Sequence, residues 1–164
     1  HGEFNHFDEF KMEPMPLKPP QIWVGGRSDA ALQRAARWGD GYIPYLVSAK
    51  QLARRYQRIN EIALHERRKL ADFTYACTLV YMPANTIDAA LNKAMDGRFP
   101  MKGLSEDFVR ESFLLGDVAN CTERLGDYIK AGAQHIVLGC PPGNDFELKT
   151  FMRAAFQLKA VISN

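Results

Sequence analysis

Ile22-Trp23-Val24-Gly25-Gly26-Arg27-Ser28-Asp29-Ala30-Ala31-Leu32, followed by Arg34-Ala35-Ala36-Arg37-Trp38-Gly39-Asp40-Gly41-Tyr42, decides the fold class of this chain. An apolar run, a glycine pair, a serine ahead of a helical pattern and a second apolar run entered through Gly39-Asp40-Gly41 read as strand, turn, helix, strand. Ser28 has the side chain of a helix N-cap, so the first helix is expected to run to about Trp38. Two glycines between a strand and a helix start leave the backbone bare to a ligand. The helix start adds unpaired N–H groups and the positive end of a dipole, a combination that suits phosphate. Gly25, Gly26, Arg27 and Ser28 are therefore candidate phosphate-binding residues. The plainer alternative is a tight turn followed by an ordinary cap.

Outward from this block the same alternation continues. Residues 1–20 read as an aromatic-rich arm or hairpin, with Phe4, Phe7 and Phe10 able to pack and prolines forbidding a regular helix. Ile22–Val24 is the first strand and Tyr42–Leu46 the second. Ser48 and Gln51 have capping-box spacing ahead of a helix to about His65. Phe73–Met82, rich in Thr, Val and Tyr, is a third strand. Helices are expected over Thr86–Met95 and Ser105–Leu115. Asn120 and Glu123 again have capping-box spacing, and Gly132 suits a helix C-terminus. His135–Cys140 is a fourth strand; after Pro141-Pro142-Gly143, Asn144 opens a last helix with Phe146, Leu148, Phe151, Ala155, Leu158 and Ile162 toward a core. Strands alternating with helices imply an α/β fold with a parallel sheet.

At 164 residues and 46% hydrophobic content the chain can bury one core, and a net charge of +2 gives no footprint for nucleic acid or a membrane surface. Lys50, Arg54, Arg55, Arg58, Arg67, Arg68 and Lys69 form a basic stretch. The apolar positions Leu52, Tyr56, Ile59 and Ala63 run through it at helical spacing, so these charges read as a solvated helix face. Three cysteines, Cys77, Cys121 and Cys140, are widely spaced with no C-x-x-C. With no secretory segment apparent, reduced thiols and a cytoplasmic location are expected.

The block from Ile22 to Pro44 resembles the bacterial-luciferase-like family of flavin- or deazaflavin-dependent monooxygenases. The opening His1-Gly2-Glu3-Phe4, the approach through Pro14, Pro16, Pro19 and Pro20, and the closing unit around Ala131-Gly132-Ala133-Gln134-His135-Ile136-Val137-Leu138 follow that family's order. The resemblance implies a (β/α)8 TIM barrel, which needs ~250 residues. It therefore places this chain as the C-terminal half, strands five to eight, with residues 21–164 forming four β/α units. The implied function is an FMN-dependent monooxygenase, or an oxidoreductase using the deazaflavin coenzyme F420, acting on a small organic substrate. It puts Gly26, Arg27 and Ser28 at the cofactor phosphate. Where some luciferases place a threonine one turn into the helix this chain has Ala31, and Arg27 offers a charged contact in its stead. Catalytic side chains in the family come largely from the other half, so none is assigned.

The remaining candidates carry less. Asp40 between two glycines reads as a turn residue. His65 and His135 lack the spacing of a metal site. Tyr45, Tyr81 and Cys140 fall near C-terminal strand ends, where barrel enzymes hold ligands, and each fits either a pocket or the core. Cys140 has no base beside it to make it a nucleophile. A half-barrel leaves two sheet edges open, at Ile22–Val24 and His135–Cys140. A homodimer, or pairing with a separate N-terminal half, is therefore expected. The alternatives to an oxidoreductase segment are a non-catalytic half-barrel and an unrelated phosphate-binding α/β protein.

Overall fold

The computed structural model describes residues 2–9, 11, 13–96, 103–139, 149 and 151–157. Residues 2–20, where described, carry no helix or strand and are exposed. Then come β1 (Trp23–Val24), α1 (Asp29–Trp38), β2 (Gly41–Tyr42), α2 (Ala49–His65) and β3 (Thr74–Pro83). They are followed by α3 (Ile87–Met95), α4 (Glu106–Ser112), β4 (Leu114–Gly116), α5 (Val118–Lys130) and β5 (His135–Gly139). Residues 151–157 are helical, and Phe151 is buried. The expected positions Phe10, Cys140, Phe146, Leu148, Leu158 and Ile162 lie outside the described residues.

Every strand pair among the described residues is parallel. β2 lies between β1 and β3, with Trp23 opposite Gly41 and Gly41 opposite Thr74. β3 also pairs with β5 along Ala76–Val80 and, further on, with β4 along Tyr81–Pro83. The four anticipated strands are β1, β2, β3 and β5, adjacent in that order. β4 was not anticipated. The helix expected over Ser105–Leu115 stops at Ser112, and the buried Leu114–Gly116 finds backbone partners on β3 instead. The β2 ladder is shorter than the expected Tyr42–Leu46, because Pro44 has no N–H to donate; pairing reappears only as a bridge from Tyr45 to Thr78.

The helices form for local reasons. Ser28 caps α1 by accepting from the Ala31 N–H at 3.3 Å. Ser48 and Gln51 form the full capping box of α2, with the two bonds at 3.2 and 3.4 Å. The cap of α5 is Asp117, which accepts from the Asn120 N–H at 2.8 Å, not Asn120 as its spacing to Glu123 suggested. Gly132, at a φ of +99°, follows α5 in the left-handed region that favours glycine.

On α2, Leu52, Tyr56, Ile59 and Ala63 are buried as their spacing requires, and on α5 so are Cys121, Leu125 and Tyr128. These residues meet Cys77 and Leu79 of β3 in the main core. Burying each such aliphatic side chain stabilises the fold by ~1.5–3 kcal/mol. Two buried hydroxyls are satisfied across elements: Tyr56 donates to the Ala76 carbonyl and Tyr128 to the Val47 carbonyl, each at 2.9 Å, whereas those of Tyr81 and Ser112 have no hydrogen-bond partner among the described residues. A second cluster packs Val80 and Met82 of β3 beneath Leu91 of α3 and Val109 of α4, with Leu46 at its margin.

The basic stretch is not wholly a solvated face. Arg68 turns back to donate to the Ala35, Ala36 and Gly39 carbonyls, at 3.2, 2.9 and 2.6 Å. It thereby serves the open end of α1, where Ala35 also accepts from the Gly39 N–H at 3.1 Å and the carbonyls beyond it lie past the helical ladder. The sheet is curled. The rings of Trp23 on β1 and His135 on β5 meet edge to face with centroids 5.2 Å apart. In a flat sheet those strands, with β2 and β3 between them, would stand about 14 Å apart. Trp23 can lie over the strand because Gly41 has no side chain; a Cβ there would come within 3.0 Å of the indole.

Candidate functional site

Because the strands are parallel, their C-terminal ends gather on one rim. Gly25–Ser28 follow β1 on that rim, and Tyr45 and Leu46 follow β2. Residues Gly25 through Ser28 are exposed. Gly26 has a φ of +109°, and a Cβ there would approach the Ala31 Cβ to 3.1 Å, so the turn is shaped around a missing side chain. The Tyr42 hydroxyl, on a fully buried ring, donates to the Gly26 carbonyl at 2.8 Å. Arg27 donates to the Leu46 carbonyl at 3.2 Å and so ties the first rim loop to the second. Leu46 itself holds a φ of +57°, a backbone state that is uncommon for a bulky residue.

Arg55 is the residue that the sequence did not bring to this site. Its guanidinium reaches across from α2 and donates to the Arg27 carbonyl. It lies beside the Tyr42 hydroxyl, and its Nε is buried without a partner among the described residues. Helical spacing puts Arg55 beside the buried stripe, three residues after Leu52 and four before Ile59, but its partner is visible only in the tertiary contact. The Arg55 guanidinium, a bare glycine turn, the start of a helix and the Ser28 hydroxyl thus come together, with the Arg27 guanidinium engaged by the Leu46 carbonyl beside them. Ser28 uses a lone pair for its cap bond, which leaves its hydroxyl hydrogen for an outside acceptor. Asp29, the one acid in the first turn, is engaged by Gln33 one turn on at 3.0 Å and by Arg58 of α2 at 3.7 Å. The arrangement fits a phosphate: a cradle that a Cβ would fill, and an orphaned buried cationic nitrogen behind it.

The other candidates fall elsewhere. Asp40 accepts from the Ile22 N–H at 2.9 Å and fastens the start of β1, at the opposite end from the glycine pair. His135, against Trp23, is at that same end. Tyr45 is half-exposed on the rim, and burial raises its phenol pKa. Tyr81 is fully buried against Phe151 in the core, not in a pocket, and burial pushes its hydroxyl up to about 12. Cys77 and Cys121 are buried, free thiols, each pushed up to about 12 by burial and therefore poor nucleophiles. Cys140 lies outside the described residues. Among the described residues no group of three His, Cys, Asp or Glu side chains converges to hold a metal. No helix there is long and apolar enough to cross a membrane.

Residues 1–102 match the model of a family described as luciferase-like monooxygenase. Over 43 residues the chain is 54% identical to an uncharacterized protein of Mycobacterium bovis, covering 26% of this chain and 15% of that one. Over 42 residues it is 45% identical to the FMNH2-dependent dimethylsulfone monooxygenase of Pseudomonas fluorescens, covering 26% and 12%. Among solved structures, an F420-dependent secondary alcohol dehydrogenase superposes with a TM-score of 0.74 at 15% identity, over 94% of this chain and 53% of that one. The EDTA monooxygenase of Chelativorans sp. BNC1 superposes at 0.61 with 16% identity, over 93% and 48%. The chain thus spans about half the length of these structures, and the likeness is one of fold. Solved neighbours include both F420-dependent and FMN-bound proteins.

Proposed function

The chain belongs to the luciferase-like monooxygenase family, and on that premise we propose that it carries the phosphate end of a flavin or deazaflavin site in an oxidoreductase acting on a small organic substrate. The observation that carries this reading is the exposed glycine turn at the start of α1, braced by the Arg55 guanidinium on its Arg27 carbonyl and tied by Arg27 to the second rim loop. The amides of Gly26, Arg27 and Ser28 and the Ser28 hydroxyl would hold the phosphate, with the guanidinium charges behind them. Charge-assisted bonds of this kind are about twice as strong as neutral ones. The bound coenzyme would supply the redox chemistry: oxygen activation with FMN, hydride transfer with F420. The chain's own part is to anchor, orient and shield. Tyr45 stands at the rim beside the bound group, and the α3–α4 segment packs over Val80 and Met82 and keeps water from the end of β3. Crystals soaked in FMN test the reading: phosphate density against the Ser28 hydroxyl supports it, and a coenzyme bound away from residues 25–28 overturns it.

A second reading is favoured by one feature. β1 and β5 each pair on one side only among the described residues, as in a half-barrel that self-associates or pairs with a separate half without catalysing anything itself.

A further inference from the structure

Two side chains hold the glycine turn from behind, and the planarity of the peptide bond converts that hold into an aim. The Tyr42 hydroxyl grips the Gly26 carbonyl at 2.8 Å, and the Arg55 guanidinium grips the Arg27 carbonyl. In a trans peptide the N–H points opposite to the C=O of the same plane. Turning the Gly26 carbonyl toward Tyr42 therefore turns the Arg27 N–H outward, and turning the Arg27 carbonyl toward Arg55 turns the Ser28 N–H outward. Neither amide donates to another group among the described residues, and both residues are exposed. We infer that Tyr42 and Arg55 are positioning residues that aim the Arg27 and Ser28 amides at the coenzyme phosphate, one plane each. This rests on the phosphate reading given above.

The two residues are suited to the task in different ways. Tyr42 is locked, its ring fully buried and edge to face with Tyr56 at 6.3 Å. Burial raises its phenol above the usual value near 10, so the hydroxyl remains a donor through neutral and mildly alkaline pH. Arg55 adds charge to direction, since its guanidinium stands behind the plane that it orients.

The test is a titration of the 15N-labelled full chain with inorganic phosphate against chloride at matched ionic strength, read at individual amides. In the wild type the Arg27 and Ser28 resonances are expected to move saturably. Tyr42→Phe keeps the buried ring and should cut the Arg27 response several-fold while Ser28 retains most of its own. Read at saturating phosphate, so that affinity lost with the charge is set aside, Arg55→Met should do the reverse, and Arg55→Lys should restore part of the Ser28 response. Should Tyr42→Phe fail to fold, the Arg55 pair decides. Wild-type responses in both variants, or losses spread evenly over the loop, overturn the inference. If Ser28→Ala then still weakens phosphate binding, the phosphate reading survives without it. No saturable response in the wild type removes that reading and the inference together.

Discussion

Ser28 has two tasks that can be separated by measurement. Its lone pair caps α1, and loss of an N-cap costs ~1 kcal/mol of stability. Its hydroxyl hydrogen is assigned to the phosphate, and losing a bond to a charged group costs ~1.5–3 kcal/mol, or roughly ten- to a hundredfold in affinity. Ser28→Ala should therefore lower the urea midpoint modestly and weaken the phosphate-bearing coenzyme strongly; an affinity change no larger than the stability change would leave Ser28 only its cap. Gly26→Val puts a branched side chain at a φ of +109° and within 3.1 Å of the Ala31 Cβ. Strain of that kind costs about 1–3 kcal/mol. The variant should fold with reduced stability and lose coenzyme binding, and full occupancy would show that the glycine is needed only for the turn. Gly25–Ser28 stood out in the sequence because glycine pairs and caps are local signals. Arg55 and Tyr42 did not, because their partners lie 28 and 16 positions away.

Elements were legible where their chemistry is local. The Ser48 box and the buried stripe of α2 could be read from spacing alone. β4 could not, since Leu114–Gly116 is a strand only by virtue of its pairing with Tyr81–Pro83. Asp117 is not legible as the cap because Asn120 and Glu123 offer a competing pattern in the next turn. The role of Arg68 is not legible because the carbonyls it serves at the end of α1 lie 33, 32 and 29 positions upstream. Hydrogen bonds from a charged donor contribute ~1.5–3 kcal/mol, so Arg68→Ala should shift the urea midpoint clearly. Arg68→Lys should recover little, because an ammonium lacks the fork that reaches several carbonyls. Equal stability of all three proteins would show that the end of α1 is satisfied by water. The thiols on β3 and α5 add a pH dependence. Burial moves Cys77 and Cys121 from about 9 to about 12, so between those values the unfolded chain loses protons that the folded chain keeps. Their contribution to stability is complete below pH 9 and is lost as the pH rises toward 12. Thermal melts should fall through that range, and Cys77→Ala should flatten the fall; identical slopes would mean that the thiol ionises equally in both states.

For the whole molecule, alternation of strands and helices announced a parallel sheet, and only the family resemblance announced a barrel. The Trp23–His135 contact across the curl is the structural sign of that second step. Among the described residues, the open sides of β1 and β5 and the largely exposed Phe4 and Phe7, 86% and 66% accessible, leave hydrogen-bonding and apolar surface for a partner. Light scattering at micromolar concentration should accordingly show a homodimer, or a complex when a separate N-terminal half is supplied, whereas a stable monomer would contradict the half-barrel account of assembly. The claim that joins fold to function is that this rim binds a coenzyme by its phosphate. Fluorescence titration of the chain with FMN and with riboflavin, and with F420 and its phosphate-free counterpart, tests it most directly. The account predicts that the phosphate-bearing member of one pair binds at least about tenfold tighter than its partner, a difference of ~1.4 kcal/mol, and that Ser28→Ala removes most of that gap. Equal affinities within both pairs would contradict it.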